Sequence, residues 1–200
     1  KYPPWDLDEL TARRIGQHLQ IPSLRPNLIL EGGAIEGNGA GTILTTESCL
    51  LNPNRNPRAT RESIQSVLAQ WLRADTVVWL PGHGIIGDDT DGHIDQVARF
   101  VDERRVLVAA PYDPDAPEAK DLRANFEAVA ASRNSAGQSL EPLELKMPQP
   151  KFLDENRLPA CYCNYYLANG AVIVPTFDDP ADDDALQLLQ ACYPDRTVVG

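Results

Sequence analysis

Two hundred residues, 42% hydrophobic, with a formal charge of −11 at pH 7, suffice for one or two soluble domains with a sizeable core. The acidic balance argues against a general nucleic-acid binder, which carries a basic face. No apolar run approaches the roughly 18 residues needed to span a bilayer, and Lys1-Tyr2-Pro3-Pro4 does not open a signal peptide. Neither nucleic acid nor membrane is therefore an expected partner. Cys49, Cys161, Cys163 and Cys192 make no metal-ligand pattern and no dense disulfide framework. Reduced thiols in a cytoplasmic protein are the simplest reading, with no metal or cofactor expected.

In chain order, Asp6 is placed to cap a helix with Glu9 as its capping-box partner, and Leu7, Leu10, Ile15 and Leu19 supply an apolar stripe that Pro22 closes. Leu28-Ile29-Leu30 reads as a short buried strand and a second strand starts at Ala34. Gly37, Gly39 and Gly41 then turn the chain into Thr42-Ile43-Leu44-Thr45. Asn52-Pro53-Asn54-Arg55-Asn56-Pro57 is a turn-rich loop. Thr60 caps a helix whose core face is Ile64, Val67, Leu68, Trp71 and Leu72, and Thr76 to Leu80 is a buried strand. Trp5 and Trp71 are assigned to packing, His18 to a helix surface and His83 to a loop.

Extended segments are expected at 93–101 and 106–110, joined through Asp102-Glu103-Arg104-Arg105. A helix at 118–132 carries Leu122, Phe126 and Val129 on one face, and a strand follows at 143–147. Residues 151–159 read as polar loop. A strand at 161–168, the turn Asn169-Gly170 and a strand at 171–174 form a strong hairpin signal. Pro180 opens a helix lined by Leu186, Leu189 and Cys192, and Thr197-Val198-Val199 begins a last strand.

The order hairpin, helix, strand thus occurs three times in a single α/β domain, with modules near 27–80, 93–147 and 161–200. In such an array function sits where strand ends converge. The chain reads as cut at both ends. Gly87-Asp88-Asp89-Thr90-Asp91-Gly92-His93-Ile94-Asp95 packs four carboxylates, two glycines and a histidine into one stretch, a composition no core requires. If the chain extends from His93, side chains two apart share a face. His93 and Asp95 would then project together as an acid–base pair suited to a cationic, nitrogen-rich substrate. The same stretch lacks the first Asp and the bidentate Glu of a calcium loop, where Gly87 and Ala98 stand. Gly37-Asn38-Gly39-Ala40-Gly41 lacks the lysine of a phosphate loop.

Glu31-Gly32-Gly33-Ala34-Ile35, Leu50-Leu51-Asn52-Pro53-Asn54-Arg55-Asn56-Pro57 and the Gly87-to-Asp95 stretch resemble the agmatine deiminase family, which includes bacterial peptidylarginine-deiminase-like enzymes. Leu158-Pro159-Ala160, Asn164-Tyr165-Tyr166, Asn169-Gly170-Ala171-Val172-Ile173-Val174-Pro175 and Tyr193-Pro194-Asp195-Arg196 continue the likeness. The resemblance implies the α/β propeller of the guanidine-modifying superfamily, five hairpin–helix–strand modules of which about three are present. It implies hydrolysis of a guanidinium to a ureido group with release of ammonia, through a covalent cysteine thiouronium. Agmatine is the favoured substrate, with free or peptidyl arginine as the alternative.

By the same resemblance Asp95 grips the guanidinium, His93 moves the protons and Glu31 orients His93; Asp89, in the same acidic stretch, is a further candidate substrate-binding carboxylate. The family's nucleophilic cysteine and its second guanidinium carboxylate match nothing in this chain, so the chain by itself is expected to be inactive. A non-catalytic module that binds cationic ligands is the other class of reading. An open arc of modules would also expose apolar surface and self-associate.

Overall fold

The computed structural model describes Pro4 and residues 6–200; Trp5 lies outside the described residues. Helix α1 (Asp6–His18) holds Asp6, Asp8 and Glu9 in its first turn, where negative charge complements the helix dipole. Leu7, Leu10 and Ile15 remain exposed, as does Leu19 beyond the helix, so the expected stripe buries nothing among the described residues. Residues 28–30 are not a strand. The Asn56 side-chain amide accepts from the Ile29 N–H and donates to the Ile29 carbonyl, both at 3.0 Å. A side chain thereby satisfies the backbone groups a neighbouring strand would have taken.

A 3-10 turn at Gly32–Ala34 leads into β1 (Ile35–Gly37) and β2 (Thr42–Thr46), which pair antiparallel. A single turn, α2 (Glu47–Leu50), and helix α3 (Arg61–Leu72) follow. Thr60 and Ser63 close a reciprocal capping box at the start of α3. Its buried face is the narrow pair Ile64 and Leu68, one turn apart. Trp71 and Leu72, expected in the core, are 39% and 47% exposed on its flank. Strand β3 (Thr76–Leu80) then pairs parallel to β2.

The next unit does not begin as an extended segment. His93 stands at the N-cap of the short helix α4 (Ile94–Val97), and only then comes β4 (Ala98–Phe100). Strand β5 (Arg105–Ala110) pairs antiparallel with β4. After helix α5 (Ala119–Ala130), β6 (Glu141–Lys146) pairs parallel with β5. The segment expected as polar loop holds a small hairpin, β7 (Phe152–Leu153) and β8 (Asn156–Arg157). Strand β9 (Tyr166–Ala168) turns through Gly170, whose φ of 80° suits glycine, into β10 (Ala171–Ile173). Helix α6 (Ala181–Cys192) returns β11 (Thr197–Val199) parallel to β10. Three sheets therefore share one connectivity: hairpin, crossover helix, parallel strand.

The third unit's strand begins later than the hydrophobic run suggests. Residues 161–165 turn, and the reason is α4. The Cys161 thiol donates to the Gln96 carbonyl at 2.8 Å and the Cys163 thiol lies 3.8 Å from the Val97 carbonyl. The two thiols satisfy helix-end carbonyls that otherwise lack intrahelical partners.

Packing divides into a larger core around β5, α5 and α6 and a smaller one around Ala34, Leu50, Ile64 and Leu68. Arg99 of β4 links the units. Its Nε is 3.0 Å from Glu36 Oε2 on β1, and it donates to the carbonyls of Cys163 at 3.0 Å and Tyr165 at 2.8 Å. Its guanidinium carbon sits 4.6 Å above the Tyr165 ring. The Arg99 and Glu36 side chains are only 13% and 16% exposed.

Burial holds the Glu36 carboxyl above its ordinary range despite the opposing pull of Arg99. Removing one partner of a buried pair costs about 3–5 kcal/mol, so Arg99→Met should destabilise the chain by that order in chemical denaturation. A carboxyl whose folded pKa is raised contributes stability at low pH that is lost as pH rises through the folded value. Without Arg99 the deficit should accordingly grow from pH 4 to pH 7; a deficit independent of pH would remove Glu36 from the account.

Candidate functional site

The loop at 87–95 is closed by one of its own carboxylates. Asp88 accepts from the Thr90 N–H at 2.9 Å, the Gly92 N–H at 2.6 Å, the Gln96 side chain at 3.2 Å and the Thr90 hydroxyl. Thr90 Oγ1 in turn accepts from the His93 N–H at 3.2 Å. Gly92 has φ of 86°, and a Cβ there would fall 2.3 Å from the Gly82 carbonyl oxygen and 2.4 Å from Ser48 Oγ. Only glycine fits that position. From β2, the Thr46 hydroxyl donates to the Gly92 carbonyl at 2.5 Å.

A second tie comes from the Asn–Pro loop. Arg55 donates from Nε to Glu31 at 2.6 Å, from one terminal nitrogen to Asp91 at 2.7 Å and from the other to the Thr90 carbonyl at 2.8 Å. Asn54 adds a 2.9 Å bond to Asp91. The Arg55 side chain is 10% exposed. A planar fork with fixed donor directions holds Glu31 and the acidic loop in one geometry.

His93 and Asp95 do come together, but not by strand alternation. The short helix α4 packs on the 32–34 turn. A Cβ on Gly33 would lie 2.5 Å from Asp95 Oδ2 and 2.6 Å from His93 Nδ1. Both side chains therefore rest on the Gly33 backbone, and the missing side chain of that glycine lets the first unit approach the second. Glu31 Oε1 lies 3.8 Å from His93 Nε2, within ion-pair range but beyond a hydrogen bond, because Arg55 holds that oxygen. Asp89 is exposed.

His93 Nε2, Glu31 Oε2 and Asp95 Oδ1 are buried without a hydrogen-bond partner among the described residues. Such atoms are costly in a core and useful in a site that receives a polar ligand. Burial pushes the Asp95 carboxyl up, against the pull of His93 and Arg99. Burial also pushes the Cys49 thiol up to about 11, with Arg55 opposing it only in part. All four cysteines are buried free thiols.

Sequence reasoning singled out Glu31, Asp89, His93 and Asp95, of which Glu31, His93 and Asp95 come together, and missed Arg55, Asp88 and Asp91 as the residues that arrange them. The available signal was one arginine set among Asn and Pro residues, with an acidic loop and a lone glutamate elsewhere in need of a cation.

A family model described as Porphyromonas-type peptidyl-arginine deiminase matches residues 1–200. An agmatine deiminase of Pseudomonas syringae pv. tomato is 35% identical over 217 residues, 99% of this chain and 59% of the relative. Among solved structures, an agmatine deiminase of Enterococcus faecalis aligns with a TM-score of 0.89 at 32% identity, covering 100% of this chain and 59% of that one. An agmatine deiminase variant of C. jejuni with substrate bound aligns with a TM-score of 0.89 at 32% identity, covering 98% and 57%. The chain spans about three fifths of the length of the relatives it matches.

The raised Asp95 carboxyl makes a stability prediction. Its contribution is complete below the unfolded pKa of about 3.9 and is lost as pH rises through the higher folded value. Asn does not titrate. Asp95→Asn should therefore melt above the parent chain at pH 7, with the gap closing toward pH 4, read by calorimetry at about 2–4 °C per kcal/mol for a chain of this size. A variant less stable than the parent at pH 7 contradicts this.

Proposed function

The chain belongs to the family of Porphyromonas-type peptidyl-arginine deiminases, and we propose that it supplies the acid–base and guanidinium-holding part of a site that hydrolyses agmatine to N-carbamoylputrescine and ammonia. The observation that carries this reading is the convergence of His93 and Asp95 on Gly33, with Glu31 beside His93. Asp95 grips the planar guanidinium through charge-assisted hydrogen bonds, and the exposed Asp89 is a further substrate-binding carboxylate on the same loop. A cysteine thiolate attacks the guanidinium carbon, and His93 gives a proton to the departing ammonia. His93 then takes a proton from the water that attacks the thiouronium carbon, and the thiolate leaves. Glu31, itself held by Arg55, keeps the imidazole in place.

The nucleophile is proposed to come from outside these 200 residues. In support, the Cys49 thiol is pushed up to about 11, and Cys161 and Cys163 face the Gln96 and Val97 carbonyls. Three sheets of one connectivity in about three fifths of the relatives' length fit three modules of a five-module α/β propeller. The exposed apolar residues of α1 favour self-association of the chain alone. Agmatine is preferred because the relatives above are named for it. Peptidyl arginine, the substrate in the family's description, is the second reading.

The test is ammonia release from agmatine, free arginine and an arginine peptide. The 200-residue chain alone should release none above background. Joined to the remaining length its relatives have, it should turn over agmatine best, and His93→Ala should lower kcat by about 10²–10⁴-fold. Asp95→Asn should raise KM and lower kcat together. Turnover by the chain alone, abolished by changing one of its cysteines, would overturn the placement of the nucleophile. A near-normal rate for a folded His93→Ala protein would remove His93 from the mechanism.

A further inference from the structure

Cys49 sits in the single turn α2, fully buried, and the chemistry above leaves it unused. Its Sγ, a carboxylate oxygen of Glu31 and a ring nitrogen of His93 all lie within 4.8 Å of one another. A tetrahedral zinc ion binds nitrogen and oxygen at about 2.0–2.2 Å and sulfur at about 2.3 Å, so its ligand atoms stand roughly 3.3–3.8 Å apart. Side-chain movement of about 1 Å closes the difference.

Two further observations point to a cation. His93 Nε2 and Glu31 Oε2 are buried atoms with no hydrogen-bond partner among the described residues. The donors are also held in place beforehand. Thr46 Oγ1 accepts from the Cys49 N–H at 3.3 Å and donates to the Gly92 carbonyl at 2.5 Å, so one hydroxyl fixes both the cysteine turn and the loop that carries His93. Arg55 takes Glu31 Oε1 and leaves Oε2.

We propose that Glu31, Cys49 and His93 form a binding site for a soft divalent cation of the zinc class, with its fourth position open. Sulfur and imidazole donors favour zinc over magnesium or calcium. On binding, the Cys49 thiol loses its proton to the solvent, and the thiolate, Glu31 and Asp91 then balance the dication and Arg55 together. A cation there also occupies His93 and so suspends its proton transfers; that consequence rests on the deiminase reading, whereas the binding does not.

Cobalt(II) is the probe, added to the reduced 200-residue chain and followed by absorption. A thiolate-to-cobalt charge-transfer band that added zinc(II) displaces is the expected result. Cys49→Ser should abolish the band, while Cys161→Ser and Cys192→Ser keep it. Glu31→Gln and His93→Gln should weaken zinc affinity by at least about 100-fold, since changes even in the outer shell of a metal site cost 10–100-fold. These two substitutions decide the matter if the buried Cys49→Ser chain fails to fold by circular dichroism. Absence of a band in the parent chain overturns the site. So does a band that survives in folded Cys49→Ser, or affinity unchanged in both Glu31→Gln and His93→Gln.

Discussion

A guanidinium held out of water needs acceptors, and through those it finds Arg99 ties three units together. Glu36 comes from the first, Arg99 itself from the second, and the carbonyls of Cys163 and Tyr165 from the approach to the third. A buried ion pair adds little net stability, because desolvation offsets attraction. Its value here is geometric. Nε faces Glu36 and one terminal nitrogen donates to both carbonyls, so the planar fork fixes how the units meet. Asp95 lies four residues before Arg99 and feels its charge, so the contact that joins the units also bears on the acidic group of the site.

Arg55 repeats the device closer to the chemistry. It crosslinks Glu31 to Asp91 and to the Thr90 carbonyl, while Asp88 closes the loop from inside. Of the carboxylates at 87–95, Asp88 and Asp91 are engaged in holding the loop. Asp95 retains an oxygen without a partner among the described residues. The acidic stretch is therefore divided between loop framework and candidate site, a division that composition cannot show.

The site also costs stability. Asp95 is pushed up by burial, and it shares with Glu31 and His93 a set of buried polar atoms that a core would not retain. Preorganised, partly desolvated charge is strong toward a cationic ligand for the same reason that it is costly without one. Gly33 completes the arrangement by contributing no side chain where His93 and Asp95 approach.

Much of this was legible in the residues. Periodicity and turn chemistry placed α3 after Thr60, β3 at Thr76–Leu80, β5, α5 and the Asn169-Gly170 hairpin, because local preference and tertiary packing agree there. The crowded composition of 87–95 singled out the stretch that carries the candidate site, since no core accounts for it. Other features were decided only by contacts distant in sequence. The Asn56 amide replaced a strand partner at Ile29, and contact with the end of α4 turned residues 161–165 where an extended segment was expected. Sequence spacing brought His93 and Asp95 to notice as a pair. Their convergence on Gly33, the hold of Arg55 on Glu31 and the nearness of Cys49 depend on how separate units pack, which no local pattern encodes.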